Sequence, residues 1–350
     1  MPPAIDVPRM VEFLVGLLNT PSPTGDCDRA MEYVQQAFAP FPFTLTRRPK
    51  GFLTGTWAGA ARGDGCAFTA HVDTLGGMVQ EIKSNGRLRL TQLGGWSWTS
   101  VEGEGVTIFT AGGGTFRGTF LPTTASIHAH TSDERNATRT SKNMEVRIDA
   151  HTSSRRETEA LGIAVGDVVT FDPGVELSDN GFIRSRHLDD KASVACIYGA
   201  LQALVAAGLE PARDVTIHIS NYEEVGHGAA AGFPPDLVDL IAVDMAVVAP
   251  KQQSDEYSVT ICAKDAAGPY HMGLRRELEA LAAAHQLRAV TDIYPYYGSD
   301  GESYWRAGGD VRVGLIGPGV DASHHVERTH RDALENCAKL IAALMLEKPA

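Results

Sequence analysis

The stretch Asn221-Tyr-Glu-Glu-Val-Gly-His227 follows directly on the apolar run Val215-Thr-Ile-His-Ile219, so a buried strand is predicted to end at adjacent carboxylates. On extended backbone, successive side chains point to opposite sides. One of the two carboxylates could therefore hold a metal ion while its neighbour faces a substrate. An acidic pair by itself is more often solvated surface, so this interpretation needs support from other segments.

Four other segments place metal-ligand side chains beside apolar runs. They are Cys66-Ala-Phe-Thr-Ala-His-Val-Asp73, Ser185-Arg-His-Leu-Asp-Asp-Lys191, Leu240-Ile-Ala-Val-Asp244 and Ser323-His-His-Val-Glu-Arg-Thr-His330. In open α/β sheets, ligands bind outside the carboxyl ends of the strands. His71, the Glu223-Glu224 pair and Asp244 all follow strand-like runs, so a single sheet would bring them together.

Composition sets the broad class of the protein. A chain of 350 residues exceeds the usual size of a single core, which predicts two domains or one large domain with an insertion. A hydrophobic fraction of 43% supplies enough apolar side chains for such cores. The net charge of −12 argues against a nucleic-acid partner and against an anionic membrane surface, because both require a basic face.

Cysteine usage and the N-terminal segment favour a cytoplasmic protein. The five cysteines are widely spaced, form no Cys-x-x-Cys motif and are odd in number, as expected of reduced thiols. The apolar stretch 11–18 contains Glu12 and lacks a basic leader, so it predicts an amphipathic helix and no signal peptide. No apolar run approaches the roughly eighteen residues that a membrane span requires.

The order of predicted elements indicates an interrupted α/β fold. Residues 1–81 and 173–350 show helical and strand-like patterns in alternation, which favours a largely parallel sheet covered by helices. Residues 82–172 instead contain short strand-like runs separated by glycines, which predicts an inserted β-rich barrel or sandwich. We therefore expect a three-layer catalytic domain with a small accessory domain inserted in it.

The candidate ligands match the needs of paired metal ions. Two divalent ions that share a bridging carboxylate, each with one histidine and one further carboxylate, require five ligands. A mixed nitrogen and oxygen set without thiolate suits zinc, cobalt or manganese. Two ions roughly 3.5–4 Å apart lower the pKa of a bridging water and stabilise a tetrahedral intermediate. Glu223 could then move the proton to the leaving amine, so the pattern predicts metal-assisted hydrolysis.

The motifs also resemble those of a known family. They are Thr20-Pro-Ser-Pro-Thr-Gly25, His71-Val-Asp73, Leu188-Asp-Asp190, Glu223-Glu-Val-Gly226, Val243-Asp244 and Tyr297-Gly-Ser-Asp300. Their order is similar to that in the tetrahedral (TET-type) glutamyl or deblocking aminopeptidases, family forty-two of the metallopeptidases, some of which were labelled cellulases. The resemblance spans nearly the whole chain. It implies a catalytic α/β domain interrupted by a PDZ-like β-barrel, removal of N-terminal residues from peptides, and a homo-oligomer, typically a tetrahedral dodecamer.

The resemblance also implies a role for particular residues. The metal ligands would be His71, Asp189 as the bridge, Glu224, Asp244 and a histidine near the C-terminus. Glu223 would be the general base. Asp73 would not bind metal itself but would orient the His71 imidazole, as carboxylates near metal-bound imidazoles often do.

The last ligand is the least defined of the set. Relatives usually read Arg-Tyr-Ile-His-Ser where this chain has Ser323-His-His-Val-Glu-Arg-Thr-His330, and we choose His324, with His325 as the main rival. These departures resemble a divergent subgroup associated with bacterial osmoprotectant gene clusters. Its substrate is left open, and the alternative to an aminopeptidase is a metal-dependent deacylase or amidohydrolase acting on N-acylated amino acids or small peptide-like osmolytes.

Four polar residues near these motifs have further interpretations. We expect Lys191 to anchor a nearby carboxylate and His218 to be a satisfied core residue. Asp190 could cap the helix that it begins. Asp300 could either contact the substrate or stabilise a turn beside Gly301.

Overall fold

The computed structural model describes residues 2–348, which form two compact units. The first contains the chain up to Asp73 and from Gly174 onward, and the second is Thr74–Pro173. The sequence analysis places the first boundary at 81/82, eight residues later than the structure does. The reason is that the strand Gly76–Ile82 is part of the barrel of the second unit.

The first unit is a twelve-stranded sheet with helices packed on it, and all elements are numbered in chain order. Its strands are β1 (Thr46–Arg47), β2 (Leu53–Trp57), β3 (Ala61–His71), β10 (Glu176–Leu177), β11 (Phe182–Ser185), β12 (Arg213–Ser220), β13 (Leu237–Val243), β14 (Ala246–Val248), β15 (Val259–Lys264), β16 (Ala289–Ile293), β17 (Arg312–Asp321) and β18 (Glu327–His330). Its helices are α1 (Val7–Leu18), α2 (Asp28–Phe38), α5 (Leu188–Ala206), α6 (Met272–Ala284), α7 (Asp300–Arg306) and α8 (Arg331–Leu346).

The centre of this sheet is parallel. Strands β12, β3, β13 and β17 lie side by side in that order and run in the same direction, whereas β2, β15 and β18 pair antiparallel at its flanks. In this register Ser220 at the end of β12 lies opposite His71 at the end of β3. The predicted α/β class is therefore confirmed, the parallel pairing is concentrated in the central strands, and their carboxyl ends meet at one edge.

Helix α5 is the core of the helical layer. It is apolar on all sides and its side chains are buried almost throughout, as expected of a helix enclosed by other elements. It packs against α1 and α8. A Cβ on Gly199 would lie 2.6 Å from Met10 Sδ, so a larger residue would have to displace the Met10 side chain of α1. Phe13 of α1 stacks on Tyr198 with ring centroids 4.4 Å apart.

The second unit is a closed antiparallel barrel. Its strands are β4 (Gly76–Ile82), β5 (Leu88–Leu93), β6 (Gly105–Phe109), β7 (Thr115–Pro122), β8 (Met144–Ile148) and β9 (Val168–Phe171), closed in the order β4-β5-β8-β7-β6-β9. The short helices α3 (Ser132–Arg135) and α4 (Arg155–Ala160) lie between strands. Trp96 packs edge-on against Phe171 and donates its indole N–H to Gly76 O, so it belongs to the barrel core. Across residues 2–348, no helix has the length and apolar character of a membrane span.

Candidate active site

The carboxyl edge of the parallel strands assembles the candidate ligands. His71 ends β3, Asp244 follows β13, and the Glu223-Glu224 pair follows β12. Asp189 and Asp190 lie at the start of α5, and His324 comes from the loop between β17 and β18. All five predicted ligands and the predicted base are therefore brought to one place, although their positions in the chain span more than 250 residues.

The ligand atoms form two adjoining groups. His71, Asp190 and Asp244 each offer an atom within 4.8 Å of the others, and so do Asp189, Glu224 and His324. Asp190 therefore lies among the candidate ligands, and its Oδ2 also accepts from the His71 backbone N–H at 3.3 Å.

Asp189 lies between the two histidines. Its Oδ1 is 3.4 Å from His71 Nε2, and its Oδ2 is 3.3 Å from His324 Nε2. The carboxylate is 8% exposed, and Ser323 Oγ donates to it. One carboxylate with an oxygen directed to each imidazole has the arrangement of a group that is shared by two cations.

The Glu223-Glu224 pair lies in a turn and not on extended backbone, so that part of the sequence analysis is wrong. Strand β12 ends at Ser220, and residues Glu223–Val225 form one turn of 3₁₀ helix after Tyr222 in a left-handed conformation. In a 3₁₀ helix, successive side chains diverge by about 120°. Glu223 Oε2 is accordingly 3.7 Å from His71 Nε2, whereas Glu224 Oε2 is 3.6 Å from His324 Nε2. Glu223 is the more accessible of the two side chains, at 16% exposed against 4%.

Asp73 contacts both the Glu223-Glu224 turn and the imidazole of His71. Its carboxylate accepts from the backbone N–H groups of Glu223 and Glu224 at 3.1 and 3.3 Å, and from Thr24 Oγ1 at 2.8 Å. His71 Nδ1 is 3.4 Å from Asp73 Oδ1 and 3.0 Å from the Asp73 carbonyl oxygen. The predicted contact between Asp73 and His71 is present, and the hold on the glutamate turn was not anticipated.

Glu327 fixes the backbone of two other candidate ligands, Asp189 and His324, as Asp73 fixes that of the glutamate pair. The sequence analysis did not identify this residue. Its Oε2 accepts from the Asp189 N–H at 3.1 Å and its Oε1 from the His324 N–H at 2.9 Å. It is buried, and burial together with the charge of Asp189 raises its pKa to about 8. The only available signal was its position three residues after His324, which does not reveal that it would hold two backbones.

The structure separates the three C-terminal histidines. His324 joins Asp189 and Glu224, while the neighbouring His325 is exposed and its backbone N–H donates to Ala322 O. His330 caps α8, with its Nδ1 accepting from the Asp332 N–H at 3.1 Å.

Lys191 does not anchor a carboxylate, so that prediction is wrong. Its side chain is buried, and its Nζ donates to Leu17 O at 3.0 Å and to Thr20 O at 2.7 Å. These carbonyls are at and just beyond the end of α1, where a helix leaves acceptors without intrahelical partners. Burial lowers the pKa of Lys191 to about 7. The lysine therefore ties α1 to α5.

The electrostatics of the cluster favour added cations. Burial raises the pKa of Asp244 to about 7, and it also raises the pKa values of Glu223 and Glu224. Burial opposes ionisation of Asp189 too, but His324 and His71 outweigh it and hold its pKa below the ordinary value. Within residues 2–348, the buried oxygens Asp190 Oδ1, Glu224 Oε1 and Asp244 Oδ1 have no hydrogen-bond partner. Carboxylates buried without a partner are costly, and imidazole with carboxylate is a donor set that fits zinc, cobalt or manganese.

Comparison with known proteins agrees with this geometry. Residues 51–340 match the family described as M42 glutamyl aminopeptidase. The chain belongs to the M42 family. This M42 protein is therefore a peptidase, a hydrolase of peptide bonds, and the resemblance seen in its motifs is confirmed. M42 peptidases are metal-dependent, in agreement with the two groups of ligand-type side chains.

Several relatives of this M42 protein are similar over almost its full length. It is 44% identical to YhfE of Bacillus subtilis (strain 168) over 335 residues, which cover 96% of each chain. A TET aminopeptidase from a marine sediment Thaumarchaeota archaeon has the same fold, with a TM-score of 0.87 at 19% identity and 96% coverage of both chains. Pyrococcus horikoshii TET1, which can assemble into a tetrahedron or a large octahedral shell, matches with a TM-score of 0.85 at 22% identity, covering 97% of this chain and 99% of TET1.

Proposed function

We propose that this protein is a dinuclear metal-dependent aminopeptidase that removes N-terminal residues from peptides. The observation that supports it best is Asp189 placed between His71 and His324, with Glu223 beside His71. Glu223 is the carboxylate at this edge that combines proximity to a candidate ligand with partial exposure to solvent.

One ion would be held by His71 and Asp244, the other by Glu224 and His324, with Asp189 shared between them. Asp190 would support the first position, where it already accepts from the His71 backbone. When bound, the two ions would polarise the scissile carbonyl and make water a stronger nucleophile. Zinc or cobalt fits the donors best, and manganese is also compatible.

Glu223 would carry the proton in this reaction. It would take the proton from the attacking water as the oxygen bonds to the carbonyl carbon. It would return that proton to the nitrogen of the leaving amine as the C–N bond breaks. Asp73 would keep Glu223 in place through its hydrogen bond to the Glu223 N–H.

The charge of the site favours a substrate with a free amino terminus over an N-acylated one. Asp189, Asp190, Glu223, Glu224 and Asp244 would carry five negative charges against the four positive charges of two divalent ions. The remaining negative potential attracts an ammonium group and gives no advantage to a neutral acyl group. This argument ranks the aminopeptidase above the deacylase.

The test is a substrate panel measured on one protein preparation. The metals are removed, and hydrolysis of aminoacyl amides with free or acetylated amino termini is measured before and after zinc or cobalt is restored. We expect metal-dependent cleavage of only the free-amine substrates. Cleavage of only the blocked substrates would establish the deacylase instead, and no cleavage of either would contradict both.

We also propose a homo-oligomer, with a tetrahedral dodecamer as the expected form. The support is the fold shared with TET1 of Pyrococcus horikoshii, whose assembly is a tetrahedron or a larger shell. Light scattering on the purified protein should give a mass twelve times that of the chain. A monomeric mass would contradict the proposal.

A further inference from the structure

The segment that follows the glutamate pair is held by two side chains of opposite charge. Lys50 Nζ donates to the carbonyl oxygens of His227 and Gly228. Asp300 Oδ1 accepts from the next backbone N–H, that of Ala229, at 2.7 Å. Lys50 lies in the turn between β1 and β2, and Asp300 begins α7. Two distant parts of the chain therefore form hydrogen bonds to the backbone of residues 227–229.

These hydrogen bonds require the backbone at Gly228 to lie close to the Asp300 side chain. A Cβ on Gly228 would lie 2.0 Å from Asp300 Oδ1 and 2.6 Å from Ser220 Oγ. Every other residue type would therefore displace Asp300 or the segment. Asp300 is only 3% exposed, and its Oδ1 is directed to this backbone.

The held segment is joined to the turn that contains Glu223. The Gly226 N–H donates to Glu223 O at 2.7 Å, and the His227 N–H donates to Tyr222 O at 3.2 Å. The His227 ring also stacks on the Tyr222 ring, with centroids 5.2 Å apart and planes 20° from parallel. Lys50 Nζ is 5.8 Å from the centre of the Tyr222 ring. A shift of His227 would therefore move both sides of the Glu223 turn.

We infer that Lys50 and Asp300 are positioning residues that fix the Glu223 turn for proton transfer. Both contact the backbone of residues 227–229, which is hydrogen-bonded to the Glu223 turn. The inference rests on the proposed role of Glu223 as the base.

The test compares Lys50→Met with Arg48→Met, an exposed cation on the same turn, in the metal-restored enzyme. Misplacement of a catalytic group by about 1 Å can cost 10²-fold in rate. For Lys50→Met we expect kcat to fall by about 10- to 100-fold, with KM changed by less than about threefold. Arg48→Met should leave both constants unchanged, and Lys50→Arg should recover part of the lost kcat.

A structural measurement accompanies the kinetics. Hydrogen exchange of the peptide covering residues 222–231 should be faster in Lys50→Met than in wild type, and both are measured at saturating zinc because Glu224 lies in the same turn. Asp300→Asn retains an acceptor for Ala229 and should lose less kcat than Asp300→Ala. Normal kcat in Lys50→Met despite faster exchange would overturn the inference, and so would an equal loss in Arg48→Met. Glu223→Gln at wild-type activity would instead overturn the proposed function, whatever Lys50→Met does.

Discussion

Buried carboxylates at the two edges of the central sheet differ in whether the chain supplies them with hydrogen-bond or ion-pair partners. At the carboxyl edge, buried oxygens of Asp190, Glu224 and Asp244 lack hydrogen-bond partners within residues 2–348. At the amino edge, Asp239 of β13 is fully buried between two arginines. Arg213 of β12 is 2.7 Å from its Oδ2, and Arg312 of β17 is 2.6 Å from its Oδ1.

The difference indicates which edge is built for function. Burial of a carboxylate is costly unless an opposite charge or hydrogen bonds compensate. At the amino edge the compensating cations are Arg213 and Arg312 of the chain itself, so Asp239 needs no added cation. The carboxyl edge holds several acids whose nearest charged partners are the imidazoles of His71 and His324, and added cations would compensate the remaining charge. The predictions below test this contrast.

Removing the base at the carboxyl edge should have the largest effect. For Glu223→Gln with metal restored, we expect kcat to fall by about 10²- to 10⁴-fold, because general-base catalysis contributes about that factor. Zinc affinity should stay close to wild type, since Glu223 is not among the proposed ligands. Steady-state kinetics and zinc titration check both points, with the exposed Glu210→Gln as the matched control. A change in kcat of less than about threefold would contradict the assignment.

Breaking the compensated site at the amino edge should destabilise the fold. Asp239→Ala leaves Arg213 buried without its carboxylate, and losing one partner of a buried ion pair costs about 3–5 kcal/mol. Urea unfolding of the metal-free protein measures the change, and Asp236→Ala, an exposed aspartate of the same region, serves as control. A loss below about 1 kcal/mol would remove the contrast between the edges.

Adding metal should stabilise the carboxyl edge selectively. At a free zinc concentration of 100 times Kd, the free energy of unfolding should rise by about 2.7 kcal/mol for each ion bound. Asp244→Asn should lose the increment of the ion that Asp244 would hold with His71, while folding normally without metal. Asp239→Asn should keep the increment even though it starts from a less stable protein. Equal increments in all three proteins would show that zinc binds elsewhere.

The smallest expected effect is the contribution of His218, in the middle of the same sheet, to the pH dependence of the free energy of unfolding. His218 of β12 is buried between Phe52 and Phe233, has neutral partners in Thr69 Oγ1 and Ala231 O, and burial lowers its pKa to about 3. An unfolded histidine takes up its proton near pH 6.5, so stability contributed by neutral His218 is lost as the pH falls below that value.

Between pH 7.5 and 6.0 this loss should be about 1 kcal/mol. Urea unfolding at the two pH values measures it, and His218→Gln should remove that part of the pH dependence. A pH dependence that is the same in wild type and His218→Gln would show that His218 is not the group responsible.

The candidate ligands were predictable because their signals are local. A buried strand is visible as an apolar run, and a histidine or carboxylate at its end is visible beside it, as at His71 and Asp244. Parallel strands place such ends at one edge, so the meeting of distant segments also followed from the pattern. The inserted barrel was visible as a change from helical periodicity to short runs separated by glycines.

Other features depend on contacts between distant parts of the chain. Glu327 and Lys50 act on backbone groups of Asp189, His324, His227 and Gly228, and backbone groups look the same in every sequence. Lys191 was expected to meet a carboxylate by charge, but the nearest acceptors were the carbonyls at the end of α1. The turn at Glu223 was missed because its conformation depends on Asp73, 150 residues earlier.

The sequence by itself determined the α/β class, the family and the set of chemically competent side chains, because periodicity and side-chain type are properties of short segments. The tertiary structure alone decided that Asp190 belongs to the cluster and that Glu327 holds the backbones of Asp189 and His324. It also gives the distances that place Asp189 between His71 and His324, the residues that the sequence analysis had named as ligands. The physical reason is that a site for cations depends on distances of a few ångströms between residues far apart in the chain. Only the packing of strands, helices and the loops that hold them sets those distances.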